Sequence, residues 1–396
     1  MKKFWSFLVY ISFIALVVTI SIIGCSKSST ESDLSSEESI FIIVEAASFH
    51  NIVYESNGKI WAWGKNDFGQ LGREADQGSL LPVSTLRIAQ IKAIECGITH
   101  NLILGIDGNL WAWGSNASCQ LARSEVTVSK SADPLKISSI DGIVQIGCGS
   151  SHNIVLKNDG SVWAWGFSSE GRLGLDLQNY NINVDVPGRI SDLSDIQSIS
   201  VGKIGHNFAI VNDGTVWGWG MNEEGQLGIG SYEDAYLPRK IPGLNNVNDI
   251  QAGAYHTIIL KNDGTVWACG DNTFGQLGNS SVINSNVPIR IESLDNVSQI
   301  ICGGYYSFAI KNDSTVWAWG NNGYGQFGNG TTAGSYEPIY IENINDFEQI
   351  SAGFSHNLML KNDGSVWAWG YNADGQLGLG NKENVLSPTP IPNLKH

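Results

Sequence analysis

Apolar runs of five or six residues, rich in Ile, Val, Leu and Trp and broken by Gly, Asn and Asp, fill the chain from about residue 40 to its end. One stretch shows the pattern: Pro238-Arg-Lys-Ile, Asn248-Asp-Ile-Gln-Ala-Gly253, His256-Thr-Ile-Ile-Leu-Lys261, a turn at Asn262-Asp263-Gly264, then Thr265-Val-Trp-Ala-Cys-Gly270 and Asn272-Thr-Phe-Gly-Gln-Leu-Gly278. β-Branched and aromatic residues in runs this short, bounded by turn formers, predict strands. Asp-Gly between two such runs predicts a hairpin with a type I′ turn, whose central residues need positive φ. The same signal returns at Asp107, Asp159, Asp213 and Asp363, as Asn57-Gly58, and as Asp313-Ser314.

These strands repeat. Trp61-Ala62-Trp63-Gly64 recurs at Trp111, Trp163, Trp217, Trp267, Trp317 and Trp367, at steps of 50, 52, 54, 50, 50 and 50 residues. A period near 50 marks a tandem array of units, none of which can bury its apolar face alone. Four strands per unit and seven units predict an all-β, seven-bladed β-propeller with four-stranded blades. Pro82, Pro134, Pro187, Pro238, Pro288 and Pro338 each precede a turn Gly by 15 residues, so a Pro-containing strand is a fixed part of the unit. Nothing in Ser32–Glu38 supplies such a strand ahead of the first unit, whereas Pro388-Thr-Pro-Ile-Pro-Asn-Leu394 matches Pro238-Arg-Lys-Ile-Pro-Gly-Leu244. The expectation is a C-terminal strand that completes the first blade and closes the ring, removing its open edges.

The composite motif His-x10-Trp-x-Trp-Gly-x-Asn-x-x-Gly-Gln-Leu-Gly resembles that of the regulator of chromosome condensation repeat family, over Ile40 to Leu394. The resemblance implies a seven-bladed propeller. Some copies depart from it: Cys119 and Ala122 replace glycines in the second unit, Cys269 replaces the second Trp of the fifth, and Tyr306 replaces the His of the sixth. Family members that act on the Ran GTPase and chromatin are nuclear. This chain carries a net charge of −15 and lacks a basic footprint for phosphate, so no nucleic-acid partner is expected. The gaps between units leave no room for the wedge hairpin of the Ran-exchange member, and the resemblance therefore brings the fold without that activity.

The start of the chain predicts where the propeller works. Met1-Lys2-Lys3 is basic, Phe4 to Ile23 is almost wholly apolar, and Ile22-Ile23-Gly24-Cys25 fits the lipobox of bacterial lipoprotein precursors. Residues 1–24 then read as a signal peptide, Cys25 as the lipid acceptor, 25–39 as a polar tether and 40–396 as the propeller. The plain alternative is an uncleaved membrane anchor, for which about 20 apolar residues suffice. Either arrangement places the propeller outside the cytoplasm, and the first makes it a membrane-anchored lipoprotein of the bacterial cell envelope.

Candidate chemistry is sparse. Five cysteines besides Cys25 show no Cys-x-x-Cys spacing, and Cys96, Cys148 and Cys302 share a position held elsewhere by Ala252 and Ala352, which reads as a small buried site. His50, His100, His152, His206, His256 and His356 occupy one repeat position. Spread one per blade they cannot converge on an ion with bonds of ~2.0–2.1 Å, so each is expected to bond turn backbone. Gly323-Tyr-Gly-Gln-Phe-Gly328 spells G-x-G-x-x-G but lacks the strand-turn-helix context of a dinucleotide site. No catalytic residue, metal or cofactor is expected, and the chain reads as a non-enzyme.

The informative residues are those that vary. Length changes fall in the connection after Trp-x-Trp-Gly and in the turn before His, on one face, where recognition on a rigid scaffold usually sits. Aromatics concentrate there in units five, six, seven and one: Phe49, Tyr255, Tyr305 and Phe354 in the turns before His, and Phe68, Phe274, Tyr324, Tyr336 and Tyr371 in the connections. Units two to four add Phe167, Tyr180, Tyr232 and Tyr236. Tyr and Phe anchors with a polar rim favour a protein interface. The reading is a monomeric propeller that binds another extracytoplasmic protein through this face. Two narrower readings stand beside it: inhibition of β-lactamases or penicillin-binding enzymes, as in secreted propellers that this chain resembles, and binding of cell-wall carbohydrate.

Overall fold

The computed structural model describes residues 41–394 apart from Ala75, Asp76, Ala89 and Asn393. Its strands form seven blades. Blade one holds β1 (Ile42–Ala46), β2 (His50–Glu55), β3 (Lys59–Gly64) and β4 (Ser79–Arg87), and blade two holds β5 (Ile91–Cys96), β6 (His100–Gly105), β7 (Leu110–Ser115) and β8 (Lys130–Ile137). Blade three holds β9 (Ile143–Cys148), β10 (His152–Lys157), β11 (Val162–Phe167) and β12 (Asn183–Arg189), and blade four holds β13 (Ile196–Val201), β14 (His206–Val211), β15 (Val216–Gly220) and β16 (Ala235–Lys240). Blade five holds β17 (Val247–Ala252), β18 (His256–Lys261), β19 (Val266–Gly270) and β20 (Ser285–Arg290). Blade six holds β21 (Val297–Cys302), β22 (Tyr306–Lys311), β23 (Val316–Gly320) and β24 (Ser335–Tyr340). Blade seven holds β25 (Phe347–Ala352), β26 (His356–Lys361), β27 (Val366–Gly370) and β28 (Val385–Pro390).

Each blade is an antiparallel meander whose first strand lines the axis and whose fourth forms the rim. The hairpins between second and third strands occur where Asp-Gly predicted them, with a different turn. Of Asn262, Asp263 and Gly264 only the glycine has positive φ (+78°), Gly264 N–H donates to Lys261 O, and Asp263 Oδ1 accepts from Thr265 N. This is a type I turn closed by a left-handed residue, the three-residue hairpin with a G1 bulge. Ser314 takes the same conformation at φ +64°.

The ring does not close as the sequence suggested. β28 pairs with β27 and completes blade seven, and blade one is complete in itself, with β4 carrying Pro82 at its own rim. The Pro-containing strand is the last strand of each unit, so a seeming deficit before the first unit was a shift in where the unit was taken to begin. Closure rests instead on contacts between β1 and β25 and β26, of the kind found between other neighbouring blades.

Those contacts are polar at the loop end and apolar below it. His50, His100 and His152 donate through Nε2 to Asn101, Asn153 and Asn207 of the next blade at 2.7–2.9 Å; His206 and His256 reach Thr257 and Ser307; Tyr306 Oη reaches Asn357; and His356 reaches Asn51, closing the circle at 2.7 Å. The expectation that each His bonds its own turn backbone is thus corrected: each links two blades. Burial lowers the imidazoles to pKa values of about 3 or 4, so they stay neutral donors. The turn glycine ahead of every such His but His50, where Ala47 stands, makes room for the ring, since a Cβ on Gly97 would stand 2.3 Å from His100 Cε1.

A second tie runs through the Gln of Gly-Gln-Leu-Gly. Gln376 O accepts from Asn51 Nδ2 and from Trp63 Nε1, as Gln70 O does from Asn101 and Trp113. Cys269, standing where a Trp recurs, donates its thiol to the equivalent Gln226 O at 3.4 Å. The second Trp of a unit is buried between its own blade and the preceding one, as Trp63 is among Leu358, Leu360 and Leu377. A Trp burying ~150–250 Å² contributes at most about 4–6 kcal/mol at ~25 cal/mol per Å². The five described cysteines are free thiols.

Candidate functional site

In the connections after Trp-x-Trp-Gly, blade three excepted, one Asn and one Gln fold the backbone onto themselves. Asn272 Oδ1 accepts from Leu277 N and Gln276 Oε1 from Phe274 N; Asn322 and Gln326 do the same for Phe327 and Tyr324. The side chain between them has nowhere to go but outward. Phe274 and Tyr324 are 42% and 43% exposed on this face.

Six rings meet here. Phe49, Phe274, Tyr305, Tyr324, Phe354 and Tyr371, from blades one, five, six and seven, line a cup of about 430 Å³, with Ser48, Asn321, Gln326 and Ser355 as its polar members. Tyr305 packs at its centre, with ring centroids 5.7 Å from Phe274 and 5.6 Å from Phe354, both edge-on, and 5.9 Å from Tyr255. Tyr324 and Tyr371 lie 4.8 Å apart. Edge-on and tilted pairs suit the ring quadrupole and hold the rings in place. Burial raises the phenols of Tyr305 and Tyr371; Tyr255 and Asp271 add to the first, Asp374 and Tyr324 to the second.

Of the nine sequence candidates, six line the cup and Tyr255 backs it. Phe68 is exposed in the blade-one connection without lining it. Tyr336 lies in β24, so its assignment to a connection is corrected; its backbone covers Gly275 of blade five. Tyr180 and Tyr236 form a separate pair at 4.6 Å in blades three and four. Ser48 and Ser355 gave no signal in the sequence, because an isolated Ser in a turn is indistinguishable from turn chemistry. Cys25 lies outside the described residues.

Beside the cup, and sharing Ser48 with it, the axis holds a cavity of about 230 Å³ lined by Glu45, Glu95, Cys96, Cys148, Lys203 and Cys302 among others. Lys203 sits in the one turn before His that is longer than its equivalents. Its Nζ crosses from blade four to Ala352 O of blade seven at 2.7 Å. Burial raises Glu45 to about 7, with Lys203 opposing, and raises Glu95 well above the carboxylate range, with Glu45 adding. Burial also lowers Lys203, against the pull of Glu45. Among the described residues no group of three or more His, Cys, Asp or Glu side chains could hold a metal ion.

A family profile described as the RCC1-like domain matches residues 143–396, and profiles of the regulator of chromosome condensation (RCC1) repeat match 57–104 and 107–156, and 42–70 and 91–120. The chain belongs to the RCC1 repeat family. It is 30% identical over 226 residues to the ultraviolet-B receptor UVR8 of Arabidopsis thaliana, covering 55% of this chain and 50% of that one. It is 28% identical over 223 residues to the human E3 ubiquitin-protein ligase HERC2, covering 54% of this chain and 4% of that one. The chain thus spans half or less of these relatives. Among solved structures, human WBSCR16 superposes with a TM-score of 0.75 at 22% identity over 84% of this chain and 94% of that one. Prp20p of Saccharomyces cerevisiae superposes with a TM-score of 0.75 at 23% identity over 88% and 87%. These likenesses establish the fold.

Proposed function

We propose that the chain is an exported, lipid-anchored propeller that binds another extracytoplasmic protein through its loop face, with the aromatic cup as the anchor site. The observation that supports this most is the convergence of six rings from four blades on one concave patch, since neighbouring rings beyond the core are what interfaces use as anchors. Prp20p, studied for its binding to Gsp1p and histones, shows a propeller of this shape in such a role. Export rests on Lys2, Lys3, the apolar run and Cys25. The carbohydrate reading is weaker because Asn321 Oδ1 and both ends of Gln326 are spent on bonds within their own loop, which leaves few polar atoms for sugar hydroxyls.

Capture from envelope extract by immobilised residues 40–396, beside a variant with Tyr255, Phe274, Tyr305 and Tyr324 changed to Ala, tests the binding face. Loss of a partner from the variant, with its melting temperature near wild type, is the expected outcome; equal capture by both proteins would sink the reading. For the anchor, Cys25→Ser should abolish fatty-acid labelling of the full chain, and label retained in that variant would remove the lipid.

A further inference from the structure

We infer that the aromatic cup takes a cation, so that the partner anchors there through an exposed Arg or Lys side chain. This rests on the reading of the cup as the binding site and names what enters it.

Four observations point the same way. Ring faces are negative, and six rings bound one space. Asp271 stands close enough to act on Tyr305, and Asp374 on Tyr371. Asp271 is buried, and its carboxyl oxygens accept hydrogen bonds from Thr273 and Gln276 that fix its position. The connections of blades five and six, 271–284 and 321–334, contain no Lys or Arg, and those of blades seven and one carry Lys382 and Lys65. Where the chain does bring a cation to this rim, it seats it as proposed for the partner: Lys65 Nζ lies 5.5 Å from the Phe49 ring centroid and 3.1 Å from Asp67. An aliphatic anchor would use the same rings but would gain nothing from the carboxylates. An acidic anchor would oppose them, in a chain already at −15.

The experiment separates charge from shape. Residues 40–396, labelled with 13C in Tyr and Phe rings, are titrated at fixed ionic strength with choline, with its neutral isostere 3,3-dimethylbutan-1-ol, and with methyl β-glucoside. Choline should shift the rings of Tyr305, Tyr324 and Tyr371 saturably, at least tenfold more tightly than the isostere, and Tyr324→Leu with Tyr371→Leu should abolish the shifts while the melting temperature holds. An isostere that binds as tightly, saturation by the glucoside alone, or no saturable shift with choline would each overturn the inference. The two ideas fail separately. Should choline occupy the cup while the Ala variant still captures its partner, the cup is a cation site and the interface lies elsewhere; should the Ala variant lose its partner while choline leaves the rings unmoved, the interface stands and the cation does not.

Discussion

Deleting residues 385–396 removes β28 and discriminates between two ways of closing the ring. Ile391 and Leu394, 4% and 1% exposed, pack in one core with Trp63, Val366 and Ala368. Losing two buried aliphatic side chains costs about 3–6 kcal/mol at ~1.5–3 each. Two backbone bonds go with them, Ile391 N to Val366 O at 2.9 Å and Val366 N to Leu394 O at 3.3 Å, at about 1 kcal/mol each. The total is a large part of the ~5–15 kcal/mol that holds a typical domain. Hydrogen exchange read by mass spectrometry should show protection lost first in Val366–Gly370, which becomes an open edge, while Lys59–Gly64 keeps its partner β4. Should the deletion prevent folding, Ile391→Ala with Leu394→Ala probes the same place, at ~2–5 kcal/mol per site. Protection lost at Lys59–Gly64 and kept at Val366–Gly370 would mean that the tail belongs to blade one after all.

Asn51→Ala breaks the His356 and Gln376 ties at the closing junction and should cost about 1–3 kcal/mol in urea unfolding, matching Asn101→Ala within the blade series; a markedly larger cost at Asn51 would show that closure is special. Acid should destabilise the propeller. Imidazoles held near 3 or 4 stabilise fully above their unfolded value of about 6.5 and lose that contribution as pH falls through the folded values. Glu45, raised to about 7, acts oppositely, contributing below about 4.5 and losing it as pH rises through 7. With six such imidazoles, the melting temperature should drop between pH 6.5 and 4, and a flat or rising profile would refute the burial argument. Lys203→Met leaves the Glu45 carboxylate on the axis without its opposing cation and should cost about 3–5 kcal/mol at pH 8, shrinking at pH 5 as Glu45, raised to about 7, takes up its proton; an equal loss at both would dismiss the axial charge pairing.

The blades were legible because a strand of alternating exposure and a turn residue at fixed offset are local properties, and seven copies state them seven times. Closure was not, because a tandem repeat has no mark for where its unit begins: Pro388 looks the same whether its strand pairs with β3 or β27, and only tertiary pairing decides. The His role misread for a related reason. A sequence shows His256 next to its own turn, while its partner Ser307 stands 51 residues on. The aromatic cup was largely visible, since ring closure makes units five to one contiguous and the rings there are conspicuous. Tyr336 was misplaced because it sits where connection passes into strand, and Lys203 showed only as a one-residue insertion with no hint that its ammonium spans the axis.

The division of labour between conserved chemistry and free surface follows from the junctions. Every neighbouring pair of blades, first and last included, is tied by one donor at the His position and one carbonyl at the Gln position, and both are backed by side chains with almost no exposure. None of these ties uses the residue between Asn and Gln in the connection, or the residue just before His. Those two positions can therefore change identity without loosening the ring, and they are the positions that hold Phe274, Tyr324, Phe49, Tyr255 and Tyr305. Arg172 shows the limit of that freedom: where it replaces the Gln, Asn207 still reaches its carbonyl, but Trp219 Nε1 is left buried without a partner. An Arg172→Gln variant leaves that main-chain carbonyl in place and removes the guanidinium bonds to Ser150 and Ser169, so it should cost about 1–3 kcal/mol in urea unfolding; no loss would show that the guanidinium bonds add nothing to the junction of blades three and four.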